Sequence, residues 1–540
     1  MSNKSPHNDL SLPWHYIEKW ARTQPQAEAL AFNDDRISWE EFGALVDKTA
    51  KAFLELGIDK GDRVAFLGMA RNEFLITFMA AAKVGAIWLG LSPKFSVDEL
   101  GYMLHDSSPK LLIAIREYQG KDLAHIGADM VERVPSLESV LIIGDAVSRA
   151  RNFSEFVNLP RANLDAQLED RAQSVLPADP ALLMYTSGST GHPKGVVHTH
   201  KSIVANAQTE VRHLDLHPGD RLLLHFPVNH VAADVEIGLS AICSGSAVVS
   251  MDRFDPEESL KTIASERITL VGQIPSMYLL QMQRPIFKET DWSHVKAFVW
   301  SGAPAPKVLV DTLAGIVQET GARLISGYGM TETAGFVTYT APDDPPPITS
   351  ATAGKAPEAF ELRIVDAHRR EVPDGHVGQI AVHGDIVMKE YWRNADATAA
   401  VLDADGWFYT GDLASKDAAG YITIAGRTSE MYKTGGENVF PREVEAVIEI
   451  HPAVLAVAVV AVPDAIYTEV GAAFVVPKPN CTLTDTDLRA HCHQHLANFK
   501  VPKQFHFRDA MPHLPNGKID RRTLHSTLAY TEHGWTRGAK

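Results

Sequence analysis

The chain has 540 residues, a formal net charge of −16, 45% hydrophobic residues and 22% charged residues. That length exceeds one ordinary core and predicts two to four domains or subdomains. The acidic balance argues against a DNA or RNA binder. The three scattered cysteines, Cys243, Cys481 and Cys492, argue against a disulfide framework or a CxxC zinc knuckle and suit a reducing cytoplasm.

The first twenty residues lack the apolar core of a signal peptide. Ala29 to Phe32 reads as a short strand and Asn33-Asp34-Asp35 as a hairpin turn. Ser38 with Glu41 three residues later forms a capping box that opens an amphipathic helix, which Gly57 ends. The longest apolar stretch, Phe74 to Leu91, is interrupted by Lys83 and Gly85. It reads as a buried helix running into a core strand, because a membrane span would bury the ammonium in hydrocarbon. Helices alternating with short apolar strands such as "RVAFLG", "RLLLHFP", "ITLVGQIP" and "AFVWSGAP" predict an α/β protein with helix-covered parallel sheets.

The Pro-rich segment "APDDPPPITSAT" reads as a rigid surface loop. From about residue 360 to 425, short strands separated by Gly turns predict a small antiparallel sheet or barrel. A large N-terminal domain (1–426), a boundary at 427–430 and a small α+β C-terminal domain (431–540) are expected. The last carries one net positive charge against seventeen negative on the rest. His491, His493 and His495 flank Cys492, but no third ligand is evident and no metal is expected there.

"YTSGSTGHPKG", from Tyr185 to Gly195, has the makings of a phosphate cradle without being a Walker A loop. Gly188, Gly191 and Gly195 let the backbone turn its N–H groups inward. Thr186, Ser187, Ser189 and Thr190 add hydroxyls, and Lys194 adds a charge. By composition alone, a Gly/Ser-rich surface turn reads equally well.

Four further motifs follow in order: "SGYGMTET" (Ser326–Thr333), "GWFYTGDLA" (Gly406–Ala414), "GYITIAGRTSEMYKTGGENVFPREVE" (Gly420–Glu445) and "PNGKIDR" (Pro515–Arg521). With the cradle they resemble the adenylate-forming superfamily of acyl-CoA synthetases, peptide adenylation domains and beetle luciferases, over nearly the whole chain. The resemblance implies an AMP-forming acid–thiol ligase. A carboxylic acid attacks the α-phosphorus of Mg-ATP, pyrophosphate leaves, and coenzyme A then takes the acyl group from the adenylate.

The same resemblance implies the site. Lys518 is the catalytic lysine, Glu332 the magnesium carboxylate and Thr331 an α-phosphate contact. Ser301, Gly302, Ala303 and Pro304 flank adenine, with Tyr328 stacked on its face beside Gly329. Asp412 and Arg427 serve the ribose, and His230 in "HFPVNHVAADVEIG" stands at the mouth of the acyl pocket. Lys433, Gly435, Gly436 and Asn438 serve the nucleotide or the thiol tunnel. Ser429 stands where the family usually has Asp or Lys at its hinge.

Val231 follows His230, so no carboxylate is placed for an amino-acid ammonium, and Asp234 is out of register. No carrier domain is expected after Lys518. A stand-alone enzyme loading a carrier protein is the alternative, and a light-emitting oxygenase would share the motifs. Val231, Ala232, Ala233, Gly327, Met330 and Ala334 suggest an apolar acid: medium-chain, alicyclic or aromatic. The expected partners are that small acid, ATP, Mg2+, coenzyme A and a second copy in a homodimer, without nucleic acid or a transmembrane segment.

Overall fold

The protein is described by a computed structural model covering residues 10–186, 193–512 and 519–532. Ser38 caps the helix Trp39–Glu55. Its hydroxyl accepts from Glu41 N, and the Glu41 carboxylate accepts from Ser38 N, which is the reciprocal box the sequence predicts. The run from Phe74 is the helix Asn72–Lys83, buried throughout, followed by the strand Ile87–Leu91. Lys83 keeps its charge inside by pairing, 3.0 Å from Glu18 and 2.7 Å from Asp47.

Two eight-stranded sheets form the large N-terminal part. One carries the parallel neighbours Arg221–Leu224, Leu270–Gln273, Ala297–Trp300 and Arg323–Met330, and ends in the antiparallel strand Gly335–Tyr339. The other centres on Arg63–Leu67 and Ile87–Leu91 and extends through Pro180–Thr186 and Lys194–Thr199 to Glu390–Tyr391. A core of Trp88, Phe66, Phe74 and Phe78 lies beneath the second sheet. Gly90 lets the two halves meet: a Cβ there would stand 1.9 Å from Val228 O, so the stretch leading to His230 lies directly against the strand Ile87–Leu91.

The antiparallel set is a four-stranded sheet of Glu361–Val365, Gly378–His383, Phe408–Lys416 and Ile422–Arg427. The C-terminal part pairs Val454–Asp464 with Thr468–Pro477 and adds the hairpin Tyr432–Thr434/Glu437–Val439 and the strand Gln504–Phe507. One expectation is corrected. Within the Pro-rich segment, Pro346–Ala351 is a short helix with Pro at its first turn, where a missing N–H costs nothing, and Thr349 is buried against the body. Among the described residues, no helix is long and apolar enough to cross a membrane.

Candidate active site

Parallel sheets present ligands with the carboxyl ends of their strands. At that edge Ala297–Trp300 runs into Ser301, Gly302, Ala303 and Pro304, the last three exposed, with Gly302 at φ +80°. The neighbouring strand Arg323–Met330 carries Tyr328 and Gly329 and turns into the 3-10 segment Thr331–Thr333. Gly329 is required by that turn, since a Cβ would fall 2.3 Å from Gly335 O across the pair.

Glu332 is 8% exposed. Its Oε1 accepts from the Tyr391 hydroxyl at 2.9 Å, and its backbone oxygen accepts from Met388 N at 2.8 Å. Burial pushes the carboxyl above its ordinary range. Thr331 is held through its carbonyl by His198 Nε2 at 2.6 Å. Burial pushes His198 down to about 4, so at neutral pH the ring is uncharged and donates from Nε2.

Asp412 and Arg427 face each other in register on adjacent strands, with Arg427 Nε 2.9 Å from Asp412 Oδ1. The Tyr328 hydroxyl donates to Asp412 Oδ2 at 2.6 Å. One hydrogen-bonded chain thus joins the residue expected at adenine to both residues expected at the ribose.

Thr186 and Lys194 pair as the last and first residues of the strands flanking the cradle. Lys194 Nζ sits 5.0 Å from the centre of the Tyr391 ring, so cradle lysine and buried carboxylate share a tyrosine. Ser187, Gly188, Ser189, Thr190, Gly191 and Lys518 lie outside the described residues. His230 is half-buried at the entrance of the π-helical turn Ala232–Leu239. Its Nδ1 accepts from Ala232 N, and its ring stacks on Phe226. Insertions of this kind cluster at functional sites.

Lys433 and Asn438 are paired across the C-terminal hairpin, whose turn is Gly435-Gly436, at φ +60° and +92°. All four are exposed, and Gly435 lies against the Tyr467 ring. No hydrogen bond or ion pair among the described residues joins them to Glu332, Asp412 or Tyr328. The structure therefore joins Tyr328, Asp412 and Arg427, braces Glu332 and Thr331 beside them, and leaves the hairpin exposed. His491, far from both groups, has its Nε2 2.9 Å from Val447 O, and no cluster of three metal-ligating residues occurs among the described residues.

Sequence reasoning missed Tyr391 and His198. They reach Glu332 and Thr331 across 59 and 133 residues, and neither belongs to a motif that announces its partner. Magnesium suits Glu332: one hydroxyl occupies one side of the carboxylate, leaving lone pairs for a hard cation that takes few protein ligands when phosphates supply the rest.

A buried carboxylate where a parallel strand ends, beside a bonded tyrosine–aspartate–arginine set, suits a nucleotide ligand. The AMP-binding enzyme family model matches residues 17–392, and the AMP-binding enzyme C-terminal domain model matches residues 443–518. The chain belongs to this adenylate-forming superfamily and is of acyl-CoA synthetase type. It is 35% identical over 500 residues to feruloyl-CoA synthase of Amycolatopsis sp, covering 92% of this chain and 95% of that one. It is 32% identical over 519 residues to the long-chain-fatty-acid–CoA ligase FadD13 of Mycobacterium tuberculosis (strain ATCC 25618 / H37Rv), covering 95% and 98%. The solved structure of the amide bond synthetase McbA from Marinactinospora thermotolerans superposes with a TM-score of 0.83 at 26% identity, covering 96% of this chain and 99% of that one.

Proposed function

We propose that the protein converts a carboxylic acid with a largely apolar body, medium-chain, alicyclic or aromatic, into its coenzyme A thioester through an acyl-adenylate. The observation that carries this reading is the joined set Tyr328–Asp412–Arg427 beside Glu332 at the strand ends. The names of the relatives, a feruloyl-CoA synthase and a long-chain-fatty-acid ligase, support an acid with an apolar body.

In this reading Asp412 accepts the ribose hydroxyls while Arg427 fixes its orientation, and Tyr328 offers its ring to adenine. The Thr331 hydroxyl bonds the α-phosphate. Glu332 would hold magnesium, which would neutralise phosphate charge. Tyr391 and His198 hold Glu332 and Thr331 so that neither reorganises as charge moves. Lys518 bridges the acid's carboxylate and the α-phosphate while the pyrophosphate leaves.

Residues 427–430 serve as the hinge. Rotation there replaces the lysine face with the Lys433–Asn438 hairpin, where Gly435 and Gly436 leave room for pantetheine. His230 closes the mouth of the acyl pocket. The enzyme acts in the cytoplasm as a homodimer.

The likeness to an amide bond synthetase keeps a second reading in view: an adenylating enzyme whose acceptor is an amine or a carrier thiol. Asp234, out of register in the sequence, is buried with both carboxyl oxygens unpartnered, and burial pushes its carboxyl well up. Pyrophosphate release with Mg-ATP across a panel of acids, with and without coenzyme A, separates the readings. Sustained turnover that needs coenzyme A and yields acyl-CoA supports the first. Release confined to amino acids, or indifferent to coenzyme A, overturns it, as does a preference for acetate over hexanoate and benzoate.

A further inference from the structure

Beside the Thr331–Thr333 turn lies a group of polar side chains that adenylation does not use. Glu236 projects from the π-helical turn, and Glu210 and Asn206 from the helix His200–Leu214. A Cβ on Gly335 would stand 2.9 Å from Asn206 Oδ1 and 3.3 Å from Glu236 Oε1. Both acceptors therefore converge on one point, two residues beyond the turn.

The Asn206 amide cannot be reversed. Its Nδ2 donates to Thr333 O and Phe336 O, each at 3.0 Å, which leaves Oδ1 as the free end. Glu210 Oε2 accepts from the Ser240 hydroxyl at 3.2 Å. Asn206 Oδ1, Glu210 Oε1 and the Tyr339 hydroxyl are buried without a hydrogen-bond partner. Burying a polar atom unpaired costs about 1–3 kcal/mol. Three such atoms, with the Glu236 carboxyl beside them, call for a partner that the protein does not supply.

Glu236 is half-buried, and Asn206, Glu210 and Tyr339 beside it are fully buried. Burial pushes its carboxyl up to about 8 and the neighbouring Glu210 well up, with the Glu236 charge adding to the effect. Tyr339 ends the strand that Gly335 begins, and the charges of Glu210 and Glu236 would hold its hydroxyl protonated.

We propose that Glu236, Asn206, Glu210 and Tyr339 form the polar end of the acyl pocket and receive a hydroxyl group at the far end of an otherwise apolar carboxylic acid. This inference rests on the ligase reading above and narrows its substrate class. A hydroxyl fits because the set is mixed. The Asn206 and glutamate oxygens accept its hydrogen, while the Tyr339 O–H needs an acceptor, which an ammonium cannot supply. An unsubstituted tail leaves those atoms unpartnered. A site built to bond a hydroxyl discriminates strongly against the analogue lacking it.

The test compares octanoate with 8-hydroxyoctanoate, and 3-phenylpropanoate with 3-(4-hydroxyphenyl)propanoate, with 8-aminooctanoate as a third arm. Pyrophosphate release is measured for the full-length protein, for Glu236→Leu and for the near-isosteric Glu236→Gln. The native enzyme should favour the hydroxylated member of at least one pair by tenfold or more in kcat/KM. That ratio should collapse toward one in Glu236→Leu and fall only partly in Glu236→Gln, whose amide oxygen still accepts.

A native preference for both unsubstituted acids or for the amine overturns the proposal, as does a ratio unchanged in both variants. The ratio is read in adenylation, so it decides the proposal even if coenzyme A proves not to be the acceptor. If no acid supports turnover, calorimetric binding of the same pairs in the presence of ATP decides it by the same ratio.

Discussion

The two halves of the candidate site are built in opposite ways. On the large domain, Glu332, Asp412 and Tyr328 are buried or nearly so and braced by Tyr391, Arg427 and one another. On the C-terminal domain, Lys433, Gly435, Gly436 and Asn438 stand exposed on a two-stranded hairpin with left-handed glycines at its tip. Groups that stabilise charge in a transition state gain from being fixed beforehand in a dry setting. Groups that must approach a moving ligand on a second domain gain from being on the surface, at the end of a short element. The contrast predicts that the two half-reactions can be broken separately.

The sharpest break pairs two variants. Lys518→Ala should lower adenylation by about 10²–10³-fold, the scale for removing one charge-stabilising group, while turnover of supplied acyl-adenylate with coenzyme A persists. Gly436→Val should do the reverse. Its φ of +92° suits glycine, and a β-branched residue there either strains the turn or reshapes the hairpin. Thioester formation should then fall about tenfold or more with pyrophosphate release retained. Single-turnover assays of each half-reaction read both, and equal loss of both half-reactions in either variant contradicts the division.

A smaller effect tests the bracing itself. Glu332→Gln should lower adenylation about 10²-fold and raise the Mg2+ concentration needed for half-maximal rate. Tyr391→Phe removes one hydrogen bond to that carboxylate and should cost only about tenfold, roughly one hydrogen bond to a charged group. Titrating Mg2+ against both variants at fixed ATP separates a ligand from its support. Only the Glu332 variant should show a large shift in Mg2+ dependence.

The same contrast governs what could be read from the sequence. Local devices were legible. Ser38 and Glu41 announce their helix, Gly57 its end, and the five ordered motifs name the family. The residues of the proposed hydroxyl site were not. "VAADVEIG" has no periodicity that separates a π-helical turn from an α-helix, yet the π turn is the element that carries Glu236. Asn206 and Glu210 belong to none of the motifs, and only the fold brings Gly335 against Asn206. The small residues Val231, Ala232, Ala233 and Ala334 suggested an apolar pocket. All four are buried, and Asn206 Oδ1 and Glu236 Oε1 converge on Gly335, next to Ala334. Pro346–Ala351 was legible only as proline-rich, although proline opens helices as readily as it forms loops.

The mildest prediction concerns pH, and it uses the unusual burial of ionisable groups in the large domain. His198 and His225 are pushed down by burial to about 4 and His200 to about 3. Their folded values lie below the unfolded 6.5, so on acidification the unfolded chain takes up protons that the native state refuses. Stability is lost as pH falls below 6.5. Glu236 acts in the opposite sense. Its folded value of about 8 exceeds the unfolded 4.5, so between those limits the native state holds a proton that the unfolded chain has released, and stability is lost as pH rises. In the native protein the two trends oppose each other between pH 5 and 7.5. Glu236→Gln removes one of the opposing terms. Relative to the native protein it should gain about 3 kcal/mol more at pH 7.5 than at pH 5, a difference of several degrees in the melting temperature of the large domain. Thermal melts of the two proteins at both pH values measure it. A variant whose offset from the native protein is the same at pH 5 and pH 7.5 would show that Glu236 is ionised in the folded state, with its charge compensated by a neighbour.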